Sequence, residues 1–210
     1  MDDAQRELSD QVDAATQRLL DNARIMSEDD LRAASLLPGW TRAHVIAHVA
    51  RNADAMRTLL AGARSGQVGP AYASAAAREA EIEQGTRMSP ARLAADLADA
   101  AMALRAFARQ LPEEAWQVEV QMPDSDPFPA AGLLTRRLVE VELHHCDLGW
   151  RYGPADWPAS FAAMELPGPL AAQRQERLGR PQPAREGTES KPPAPWKPGQ
   201  PLPGSWIKRR

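Results

Sequence analysis

Apolar residues recur at helical spacing along most of the first 150 positions. Leu8, Val12, Ala15 and Leu19 step by four, three and four, which lines one face of a helix over about residues 3–26. Ser27 followed by Asp30 is a capping arrangement that opens a short helical turn to about Leu36. Pro38-Gly39 then breaks the chain. Thr41 is a good N-cap for a helix over about 42–63, with Val45, Val49, Met56 and Leu60 on its apolar line. An Ala-rich, acidic helix is expected over about 73–84. Ser89-Pro90 is a further start signal, and the helix it opens runs to Leu111, with Leu93, Leu97, Ala100, Leu104, Phe107 and Leu111 facing inward. Alternation over 117–122 predicts a short strand or extended link, and the Pro-rich stretch 123–129 a loop. The last long helix spans about 130–150, carrying Leu134, Leu138, Val141 and Leu148. Four long helices predict an all-α protein, an antiparallel four-helix bundle. Beyond Ser160 a helical remnant is expected to end near Leu170, and residues 181–206 lack periodicity and are expected to be disordered.

Composition sharpens the boundary. Residues 1–160 contain no Lys, and all 16 basic residues there are Arg. Residues 161–210 hold 9 basic and 4 acidic residues, net +5, so with a total charge of −3 the first 160 carry −8. Ten of the 19 Pro lie in the same tail. The expected division is therefore a bundle over 1–160 and an irregular tail over 161–210. A bundle at −8 argues against a nucleic-acid partner. No run of 18 apolar residues occurs, and the acidic N-terminus lacks the basic start of a signal peptide, so neither a membrane partner nor export is expected. A single Cys excludes a disulfide framework and fits a cytoplasmic setting.

The four His sit in two pairs, His44 with His48 and His144 with His145. On the helix 130–150, Glu140 and His144 share a face one turn apart, with Arg137 three residues before Glu140 and Asp147 three after His144. On the helix 42–63, His48 falls beside the inward Val45 and Val49. Facing helices of a bundle build metal sites from such inward side chains. A His/Glu/His set suits zinc with one position open for water or a thiol, while nickel and ferrous iron also accept these donors. An alternative reading makes the same residues a hydrogen-bonded core. Asp147 would orient His144 from behind, or be a solvated residue near the helix end. Arg137 would hold a substrate carboxylate through its planar fork, or pair with Glu140 or Asp147. Cys146 points off this face and reads as a small packed residue. Trp40 and Trp150 are expected to anchor against the bundle.

The string Leu37-Pro-Gly-Trp-Thr-Arg-Ala-His44-Val-Ile-Ala-His48-Val-Ala-Arg-Asn52-Ala-Asp54 resembles the N-terminal signature of the mycothiol-dependent maleylpyruvate isomerase family. Arg137-Leu-Val-Glu140-Val-Glu-Leu-His144-His145-Cys-Asp147-Leu-Gly149 resembles its second motif, in the same order and at about the right distance. The resemblance covers roughly residues 5–160 and implies a DinB-like metal-binding four-helix bundle. It implies metal ligation by His48, Glu140 and His144, with Zn2+ the leading metal and mycothiol the thiol. The implied reaction is the cis–trans isomerisation of maleylpyruvate to fumarylpyruvate by thiol addition and elimination. A small anionic substrate and a low-molecular-weight thiol are then the partners, and the protein a monomer or homodimer. Transfer of the thiol to another substrate, or a non-catalytic metal-binding role, are the alternatives. Family members continue into an α/β domain. Residues after about 165 show no such pattern, as a frameshift or a natural disordered tail would produce, and the change could impair activity.

Overall fold

A computed structural model describes residues 1–123 and 125–180; the expected disorder over 181–206 lies outside the described residues. The helices are α1 (Asp3–Ile25), α2 (Glu28–Arg32), α3 (Arg42–Ser65), α4 (Ala75–Gly85), α5 (Pro90–Arg109), α6 (Gly132–Asp147), α7 (Ala159–Ala162) and α8 (Gly168–Leu178). Strands β1 (Glu119–Val120) and β2 (Phe128–Pro129) form a small antiparallel ribbon. The long helices close a ring in which α1 touches α5 and α6, and α3 touches the same two. The expected all-α bundle is present.

The local chemistry explains the helix starts. Asp2, Ser27 and Thr41 each form a reciprocal capping box, and Ser89 accepts from the Arg92 amide with Pro90 in the first turn. Each such cap contributes about 1 kcal/mol. The inward faces are those the spacing predicts: Ala15, Leu19, Val45, Val49, Met56, Leu60, Leu93, Leu97, Leu138 and Val141 are buried. Phe107, expected inward, is only partly buried against the core.

Several details differ from expectation. The alternating stretch 117–122 yields a strand of only two residues, and its partner β2 lies inside the expected loop. The pairing is anchored by burial of Val120 against the core. The last bundle helix is shorter than 130–150, because Gly149 turns left-handed with φ 61 just after it. Within the region expected to be irregular, residues 168–178 form α8, which packs on α6 through the buried Leu170 and Arg177. Among the described residues no helix is long and apolar enough to cross a membrane.

Candidate metal centre

The turn at Pro38-Gly39, with Gly39 at φ 81, delivers Trp40 into the core and Thr41 to the start of α3. Arg42, in the first turn of α3, reaches the end of α6. Its Nε donates to the Leu148 carbonyl at 2.9 Å and an Nη to that of Gly149 at 3.3 Å. These bonds hold the start of α3 against the end of α6, so the two helices run antiparallel. His48 then lies about 9 Å along α3 from Arg42, and His144 about 6 Å back along α6 from Leu148. That brings them to the same level.

His48, Glu140 and His144 meet in the interior at 3%, 3% and 4% exposure. His48 Nε2 lies 3.2 Å from Glu140 Oε2 and 3.1 Å from His144 Nε2, and His144 Nε2 is 3.4 Å from the same carboxylate oxygen. Three donors bound tetrahedrally at zinc's ordinary bond lengths would stand about 3.3–3.4 Å apart. The trio therefore has the donor types and nearly the spacing for a divalent cation, and its three ligand atoms form a possible metal-holding group.

The electrostatics fit. Burial pushes His48 down to about 3, against the opposing pull of Glu140, so the ring is neutral, the protonation level that a metal-ligating imidazole has. Burial acts to raise Glu140, but hydrogen bonds and charge from His144 and His48 outweigh it and hold the carboxyl well below its usual range. Burial also acts to lower His144, yet Asp147 and Glu140 together raise it. Asp147 is fully buried and faces His144 Nδ1 at 3.0 Å, a contact skewed from good hydrogen-bond alignment. Burial would raise Asp147, but His144 and Arg177 bring it down to about 2. It is thus the buried partner behind His144, not a solvated residue.

Arg137 lies fully inside. One Nη donates to the Val49 carbonyl and to Asn52 Oδ1, both at 2.8 Å, and the other finds no hydrogen-bond partner among the described residues. Burial brings it down to about 10, with Glu140 acting to restore it. The remaining His residues stand apart from the trio. His44 contacts Glu83 Oε2 at 3.3 Å. His145 sits 2.7 Å from Asn22 Nδ2 and stacks on Tyr152 at 3.7 Å. Burial raises the Cys146 thiol. Trp40 packs with its ring centroid 5.6 Å from that of His48, an anchor as expected, while Trp150 is only half-buried beneath Arg151.

Two groups escaped the sequence reading. Arg78 on α4 approaches His48 Nδ1 at 3.0 Å and lies over the Tyr72 ring. Its helix showed only Ala-rich acidic text, with no signal that an Arg would turn inward. Arg177 on α8 grips Asp147 from a region read as irregular.

The model of the mycothiol maleylpyruvate isomerase N-terminal domain matches residues 12–149. A crystal structure of the mycothiol-dependent maleylpyruvate isomerase is similar with a TM-score of 0.71 and 32% identity, over 75% of this chain and 65% of that one. A histidine-to-alanine mutant of such an isomerase gives 0.70 and 31%, with the same coverage. The chain thus spans about 65% of the length of these solved relatives. No match to a curated protein is found. On the extent of the family match, the chain belongs to the mycothiol maleylpyruvate isomerase N-terminal domain family.

Proposed function

We propose that the protein is a metal- and mycothiol-dependent isomerase that converts maleylpyruvate to fumarylpyruvate. The observation that carries this reading is the buried convergence of His48, Glu140 and His144. These three would hold a divalent metal, with zinc first by donor set. When bound, the cation supplies positive charge that favours a thiolate at neutral pH. The thiol comes from a small molecule, because Cys146, the chain's single cysteine, is buried with its thiol raised.

In the proposed reaction the thiolate sulfur bonds to one alkene carbon as the π pair moves onto the conjugated oxo group. The former double bond then rotates as a single bond. The oxo group re-forms, the carbon–sulfur bond breaks, and the thiolate leaves with the trans alkene behind. The chain's own groups bind and orient. Glu140 stays ionised between the two imidazoles. Asp147 faces the His144 ring at its Nδ1 and backs it with negative charge. Arg137, with one Nη uncommitted, and the half-buried Arg78 are the cations for the substrate's carboxylates. The Tyr72 ring lies beneath the Arg78 guanidinium, with the ring centroid 5.5 Å away, and helps to seat it.

The test is conversion of maleylpyruvate by the purified, metal-loaded chain with and without mycothiol. The expected result is turnover only with the thiol. Equal rates in the two conditions would remove the thiol mechanism.

A further inference from the structure

We propose that Arg177 on α8 is a positioning residue of the metal centre, acting through Asp147 on His144. The inference rests on the metal reading above. It concerns a segment beyond residues 12–149, the part the family model matches.

Asp147 carries no exposed surface, and its Oδ2 meets His144 Nδ1 in a skewed contact. That contact alone does not fix the plane of the carboxylate. Arg177 does, by a two-point fork: Nε donates to Oδ1 at 3.2 Å and Nη2 to Oδ2 at 2.8 Å. Oδ2 is the oxygen that faces the imidazole, so the fork and the ring share one atom. Arg180 adds a single bond from Nη1 to Oδ1 at 2.8 Å. The helix that brings Arg177 in is seated by Leu170, 1% exposed, and by Arg174 donating to the Phe161 carbonyl at 2.7 Å. Arg177 itself is only 6% exposed, so this is a built contact of the interior.

Removing Arg177 has two opposing effects. Loss of a nearby cation favours metal binding. Loss of the fork lets the carboxylate, and the His144 ring behind it, drift from the ligating orientation. Arg180 still balances much of the Asp147 charge, so the electrostatic gain is small and the loss of orientation wins. Groups that orient a ligating histidine typically change metal affinity by about 10–100-fold.

The experiment uses the full chain, with Zn2+ affinity measured by chelator competition and the visible spectrum of the Co2+ form as the signature of ligand geometry. Arg177→Gln is expected to weaken Zn2+ binding by about tenfold or more and to alter the Co2+ bands. Arg177→Lys, which keeps the charge without the fork, should recover only part of the affinity. Arg180→Gln should cost less than Arg177→Gln. Should Arg177→Gln fail to fold, Arg177→Lys alone decides, with weakened binding expected. Parental or tighter Zn2+ binding with a parental Co2+ spectrum in the deciding variant would overturn the proposal. A parent chain that takes up neither metal would overturn the metal reading itself, a result distinct from a loss confined to the variants.

Discussion

Substituting Gly85 by Ala tests how tightly α4 is set against the metal-bearing helix. A Cβ at Gly85 would stand 2.5 Å from the Ala47 Cβ and 3.6 Å from the Ala47 Cα. Carbon atoms in comfortable contact lie about 3.5–4.0 Å apart, so α4 must retreat by about 1 Å. Gly85 is buried, and Ala47 is the neighbour of His48. Such overpacking costs about 1–3 kcal/mol. At roughly 2–4 °C per kcal/mol for a chain of this size, the melting temperature should fall by about 2–12 °C. Thermal unfolding followed by circular dichroism reads the shift. A compensating change supplies the control. Ala47→Gly alone costs about 1 kcal/mol of helix propensity, but combined with Gly85→Ala it removes the clash. The double variant should therefore be more stable than the sum of the singles by about 1 kcal/mol or more. A parental melting temperature in Gly85→Ala, or strict additivity in the double variant, would refute the close-approach argument.

Other outcomes follow from the same structure. Metal affinity should rise with pH until His144 has lost its proton, by about tenfold per unit in the limit, and then level off. The reason is that Asp147 and Glu140 raise His144 above its usual value, whereas His48 at about 3 has no proton to release. Chelator competition between pH 5.5 and 8.5, with a flat profile, would contradict this. Cys146 should resist iodoacetamide in the native protein at pH 8 and react on unfolding, because burial both covers it and raises its thiol; mass spectrometry gives the extent. Thr41→Ala should lower stability by about 1 kcal/mol in denaturant titration, since Thr41 Oγ1 accepts from the His44 amide at the start of α3.

Much of this was legible because helices repeat. The period placed Val45 and Val49 inward and carried His48 with them. The four-residue step placed Glu140 and His144 on one face, and caps such as Thr41 and Ser89 marked the starts. What escaped depends on approach between distant segments. Gly85 looks like an ordinary helix terminus until α4 meets α3 at Ala47. Arg78 carries no local sign that it reaches His48. Glu142 and His145 lie off the face of the trio and are nevertheless buried, because α1 supplies Arg18 and Asn22 to meet them. Arg177 sits in text dominated by Gln, Arg and Pro, where a single buried Leu170 gives too weak a period to announce a docked helix.

The central claim is that His48, Glu140 and His144 bind one divalent metal ion. Elemental analysis of the purified chain, beside His48→Ala and Glu140→Ala, tests it most directly. The account predicts about one equivalent of divalent metal in the parent and little in either variant. Stoichiometric metal that persists in both variants would contradict it.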